Sequence, residues 1–128
     1  DLALNVLNTH RKPLNGSRVV VLGVAYKQDV DDVRESPALE IIQLLERKGA
    51  DVIYVDPHVP YVAIQGRTYR STTLDDALQR VDLSIITTAH SSIPWADVVE
   101  RSPLVLDTRN ATGSLNLTPE ARSKVVRL

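Results

Sequence analysis

Two short apolar runs, "RVVVLG" at residues 18–23 and "DVIYV" at 51–55, bracket a segment with the periodicity of one amphipathic helix. This spacing constrains the chain more than any other feature. An unbroken β-branched run is the pattern of a strand covered on both faces, which belongs to parallel sheets. Neighbouring parallel strands need a crossover, so residues 18–55 read as a right-handed βαβ unit. Ser36 and Pro37 mark the helix start: a capping hydroxyl, then a proline where no N–H is needed. Leu39, Ile42 and Leu45, widened by Ile41 and Leu44, recur at helical spacing until Gly49 ends the helix.

The alternation continues less cleanly. Residues 73–80 read as a short helix capped by Thr73, 83–87 as a third strand, 93–101 as a helix and 104–107 as a fourth strand. Thr118 and Pro119 open a last helix, with a final strand expected at 124–128. The expected fold class is therefore α/β: a three-layer α/β/α sandwich around a Rossmann-like, mostly parallel sheet. At 128 residues the chain has the size of one domain with a real core. A net charge of -1 excludes a broad electrostatic grip on nucleic acid or anionic lipid, so any anion site is local.

With no cysteine, disulfides, thiolate nucleophiles and Cys-ligated metals are excluded for this chain. No apolar run approaches the roughly 20 residues of a membrane span, and no signal-peptide pattern opens the chain; a cytoplasmic protein without membrane contact is expected. The chain has no Met and starts inside a helix-like pattern, "DLALNVLNTHRK". A piece of a longer protein is expected, with residues 1–16 the helix tail and linker from an upstream domain and 17–128 the domain itself.

In doubly wound sheets ligands sit beyond the carboxyl ends of the strands, where strand order reverses. The segments to search are 24–35, 56–61, 88–95 and 108–114. The first of these, "VAYKQDVDDVRE", is about a dozen residues long where roughly two to six would join strand to helix. It lacks the G-x-G-x-x-G fingerprint, since the next glycine after Gly23 is Gly49, which argues against a dinucleotide-binding sheet. It offers Lys27 and Arg34 instead, cations suited to a phosphate, with Asp29, Asp31 and Asp32 either positioning them or solvating the loop. A structural salt-bridge loop stands beside the ligand-binding reading.

The fourth strand ends in "LDTRNATG", which brings Arg109 and Asn110 to the edge that carries Lys27. Two cations from separate strand ends make a better phosphate signal than one; the alternative is Arg109 paired to Asp107 or capping a carbonyl. His90 follows the third strand, but with no nucleophile or carboxylate partner nearby in sequence it reads as structural. His10, His58 and His90 lack metal-ligand spacing, so no metal is expected, and Ser91 and Ser92 form no nucleophile elbow. Trp95 and the tyrosines are either core or base-stacking residues.

The stretch "VLGVAYKQDVDDVRESPALEIIQLLERKGADVIYVDPHVP", followed by "LVLDTRNA", resembles the carboxyl-terminal, UDP-binding domain of the UDP-glucose/GDP-mannose dehydrogenase family. The ordered combination of G-x-A-Y-K, D-x-R-E-S-P, D-P and D-T-R-N carries the resemblance. It implies a longer parent, with an amino-terminal NAD-binding domain and a central domain that makes the homodimer. That parent would oxidise the sugar C6 alcohol of a UDP-sugar to a carboxylate through a cysteine this chain lacks, leaving the isolated chain without catalytic residues. Position by position, Tyr26, Lys27 and Arg109 match substrate contacts. Arg34 matches the residue that faces NAD across the interdomain cleft. The "HSS…W" and "DTRNA" wording resembles the branch acting on UDP-N-acetylhexosamines. A non-catalytic Rossmann-like nucleotide-binding or interaction module is the rival reading.

Overall fold

Strand β1 (Arg18–Leu22) pairs in parallel with β2 (Asp51–Val55) on one side and with β5 (Leu83–Ile86) on the other. β5 pairs with β6 (Val105–Asp107), and β6 with β7 (Val125–Arg127), again in parallel. The computed structural model describes residues 13–34 and 36–127, and in it these strands form one sheet in the order β2-β1-β5-β6-β7. The helix expected within residues 1–12 lies outside the described residues, as do Glu35 and Leu128.

The chain leaves β1 outward to β2, then returns across the sheet to build β5, β6 and β7 in the other direction. Strand order therefore reverses between β1 and β5, the position where doubly wound sheets open a crevice. Leu22 is level with Val55 on one side and Ile86 on the other, and Ile86 with Asp107. The loops after β1, β2, β5 and β6 consequently leave one edge together.

Alternate β1 residues feed two cores. Val19 and Val21 pack with Ile42 and Leu45 of α1 (Pro37–Arg47), and Val20 and Leu22 with Leu78 of α2 (Leu74–Leu78) and Val98 and Val99 of α3 (Trp95–Arg101). Ala121 of α4 (Pro119–Ser123) packs against the second cluster. Each such side chain taken fully out of water contributes about 1.5–3 kcal/mol. The result is the expected three-layer α/β/α sandwich around a Rossmann-like parallel sheet. The anticipated caps also form: Ser36 accepts from the Ala38 N–H, Thr73 from that of Asp76 and Thr118 from that of Ala121.

One element departs from the sequence expectation. Beyond the loop after β2, β3 (Tyr61–Ile64) and β4 (Arg67–Arg70) form an antiparallel hairpin whose Val62 and Ile64 join the α1-side core. Its turn, Gln65 and Gly66, has φ of 49° and 82°, both left-handed as the tightest hairpin turns require. Among the described residues no helix is long and apolar enough to cross a membrane.

Candidate functional site

The turn out of β1 is made by Gly23, whose φ is 90°. A β-carbon there would lie 2.4 Å from Thr88 Cβ and 2.7 Å from its carbonyl oxygen, so only glycine lets the strand end pass this close to the loop after β5. Hydrogen bonds then stitch the two loops together. The backbone N–H groups of Thr87 and Thr88 donate to Leu22 O at 3.0 and 3.2 Å, Thr87 Oγ1 donates to Gly23 O, and Thr88 Oγ1 to Ala25 O at 2.9 Å.

Asp56, the first residue beyond β2, is buried and holds the next stretch. Its Oδ2 accepts from the N–H groups of Val24 (2.8 Å) and Ala25 (3.2 Å) and contacts His90 Nε2 at 2.9 Å. Its Oδ1 accepts from the His58 N–H at 2.8 Å. His90 is fully buried, and its Nδ1 accepts the Asp29 N–H at 2.8 Å. An acceptor carries no proton, so the ring proton sits on Nε2 and is donated to Asp56. The structural reading of His90 thus has a geometry, and its carboxylate partner stands 34 positions away in sequence.

Asp29, at a left-handed φ of 62°, turns its carboxylate onto Ser91, accepting from the N–H at 2.8 Å and the hydroxyl at 2.9 Å. The Ser91 N–H, with the hydroxyl behind it, holds this carboxyl below its ordinary range. In dinucleotide-binding sheets the N–H groups after the first strand cradle a pyrophosphate. Here those of Val24 and Ala25 are taken by Asp56, so the residues after β1 do not fit an NAD cradle.

At the end of β6, Asp107 is fully buried. Its Oδ1 accepts from the N–H groups of Arg109 (3.0 Å) and Ala111 (3.1 Å), and its Oδ2 from the Thr112 N–H (2.9 Å) and hydroxyl (2.6 Å). Burial pushes the carboxyl up, but the Thr112 hydroxyl and the three N–H groups outweigh it and hold it below its ordinary value. The turn so formed aims Arg109 back over the sheet edge, where its Nε donates to Thr87 O at 3.0 Å. Arg109 therefore does cap a carbonyl; toward Asp107 it sends its backbone and not its guanidinium. Among the described residues its two Nη nitrogens have no hydrogen-bond partner.

Lys27 lies two positions beyond Ala25, which is tied to Thr88, and Arg109 is tied to Thr87. The two cations thus come off the loops after β1 and β6, each tied to the loop after β5 that lies between them. Lys27 is exposed and, among the described residues, has no ion-pair or hydrogen-bond partner. Tyr26 beside it is half exposed, its N–H donating to Asp32 O. Arg34 sits at the far end of the loop in an exposed bidentate pair with Asp32 (Nη2 to Oδ2 2.8 Å, Nε to Oδ1 3.1 Å). That pair draws the Asp32 carboxyl down to about 2 and raises the Arg34 guanidinium. Of these three positive groups, two have unengaged donors and one is paired; charged donors of this kind suit a di-anion.

The family model described as "UDP-glucose/GDP-mannose dehydrogenase family, UDP binding domain" matches residues 20–114. A UDP-N-acetyl-D-mannosamine dehydrogenase of Methanococcus maripaludis is 33% identical over 101 residues, 73% of this chain and 22% of the relative. A UDP-glucose 6-dehydrogenase of Rickettsia bellii is 36% identical over 110 residues, 76% of this chain and 24% of the relative. The crystal structure of an NDP-N-acetyl-D-galactosaminuronic acid dehydrogenase from Methanosarcina mazei superposes with a TM-score of 0.76 at 26% identity, over 99% of this chain and 27% of that one. The chain spans about a quarter of the length of the proteins it matches.

Proposed function

Because the chain belongs to the UDP-glucose/GDP-mannose dehydrogenase family, we propose that residues 17–128 hold the UDP part of a nucleotide-sugar for an NAD-dependent 6-dehydrogenase of greater length. The observation that carries this reading is a pair of unengaged cationic groups, the Lys27 ammonium and the Arg109 Nη nitrogens, on loops that are both tied to the loop after β5, beside the strand-order reversal. They receive the diphosphate, with Tyr26 against the same ligand. Arg34 turns from Asp32 toward an NAD carried by the parent's amino-terminal domain.

Oxidation of the sugar C6 alcohol to a carboxylate, and the cysteine it uses, belong to other domains of that parent, since this chain has none. The central domain makes the homodimer, and the whole acts in the cytoplasm. Relatives from both the UDP-glucose and the UDP-N-acetylhexosamine branches match at similar identity, so the proposal covers the UDP moiety they share.

Calorimetric titration of the chain with UDP, NAD and GDP-mannose tests the reading. Saturable binding of UDP, and weaker or no binding of the other two, is the expected result. NAD binding without UDP binding would make this a plain dinucleotide module, and silence towards all three an interaction domain; either outcome defeats the proposal.

A further inference from the structure

The loops after β1, β2 and β5 bring together three side chains, those of Asp29, His58 and His90, that the nucleotide reading does not use. We propose that Asp29, His58 and His90 form a binding site for one divalent transition-metal ion of the zinc class. Their candidate ligand atoms all lie within 4.8 Å of one another. Asp29 Oδ1 is 3.9 Å from His58 Nε2 and 3.9 Å from His90 Nδ1. Both gaps are too long for a hydrogen bond. Zinc bonds of ~2.0–2.2 Å in tetrahedral geometry place ligand atoms roughly 3.3 Å apart, so closing onto an ion takes about half an ångström at each Asp29 gap and up to about 1.5 Å between the two histidines.

The surroundings are those of an imidazole–carboxylate metal site. His90 donates its Nε2 proton to the buried carboxylate of Asp56 and turns Nδ1 into the cluster, the arrangement that fixes the tautomer of a ligating histidine and raises its basicity. Ser91 orients the Asp29 carboxylate through its N–H and hydroxyl. The His58 ring, half exposed, has no hydrogen bond among the described residues and lies 4.6 Å from the His90 ring, tilted by 51°.

One existing bond opposes the ion. His90 Nδ1 now accepts the Asp29 N–H, and metal binding must break that contact and turn residue 29. Three protein ligands and an open rim at His58 leave the fourth position to water. The ligands fall on three loops, at positions 29, 58 and 90, so no ligand spacing is visible along the chain. The proposal is independent of UDP binding.

The test is titration of the full chain with Co²⁺, whose visible spectrum reports tetrahedral coordination, and with Zn²⁺ by calorimetry and thermal unfolding. One ion per chain, a tetrahedral Co²⁺ spectrum and a Zn²⁺-dependent rise in Tm are expected. His58→Ala keeps the main-chain bond to Asp56, so it should fold as the parent does while losing about tenfold or more in metal affinity and the rise in Tm. Asp29→Asn should weaken binding likewise, and His10→Ala should not. Absence of saturable binding, binding unaffected by His58→Ala, or binding abolished by His10→Ala would overturn the proposal.

Discussion

Asp56 and Asp107 do the same physical job at two strand ends. Each is a buried carboxylate that gathers the N–H groups of the turn beside it and so decides where a cationic neighbour emerges: Lys27 downstream of Val24 and Ala25, Arg109 within the Asp107 turn. Burying an unpaired charge is costly, and four donors on each carboxylate offset that cost. The Asp107 carboxyl titrates below its ordinary value of 3.8 in the folded state, so an unfolded chain binds the proton first as pH falls. Its contribution is therefore complete above about pH 4 and is lost as pH drops through the folded value. Asp107→Asn, which cannot accept on both sides, should cost about 2–3 kcal/mol in urea denaturation at pH 7. The gap to the parent should narrow below pH 4, and a gap that stays constant down to pH 2.5 would show that the ionised form is not what matters.

Among the elements, those with local causes were readable in advance. The β-branched runs became β1 and β2, and the hydroxyls of Ser36, Thr73 and Thr118 became caps, because each follows from its neighbours in sequence. The β3–β4 hairpin was not anticipated. Tyr61–Ile64 alternates exposed and buried and Gln65-Gly66 is a two-residue turn, but "RTYR" is polar and short, and tertiary contacts, Val62 and Ile64 in the α1-side core and Arg67 and Tyr69 on Glu46 of α1, hold it as a strand pair. Exposed Lys27, Arg34 and Arg109 were legible as charges at strand ends. The Asp56–His90 pair, 34 positions apart, and the Asp29–His58–His90 cluster were not, since tertiary contact alone creates them. The β1 exit is the least forgiving element: Gly23→Ala combines a left-handed φ with a contact inside van der Waals distance of Thr88 backbone. A loss of about 3 kcal/mol or more is expected from thermal or urea unfolding, and a loss under ~1 kcal/mol would mean that the two loops are free to separate.

At the scale of the whole molecule, the long first loop has a reason. A strand and helix joined directly would leave the crevice between β1 and β5 open; residues 24–34 instead cross to Asp56, His90 and Ser91 and carry Tyr26 and Lys27 on the way. With a net charge of -1, the proposed attraction for a diphosphate is local to this edge and not a property of the molecule as a whole. The central claim is that Lys27 and Arg109 grip one diphosphate. Paired titrations of UDP and uridine into the parent chain, Lys27→Ala and Arg109→Ala test it most directly. Charge-assisted hydrogen bonds of about 1.5–3 kcal/mol predict a UDP affinity lower by about tenfold to a hundredfold in each variant, with uridine affinity unchanged. UDP binding as tight as the parent's in either variant would contradict it.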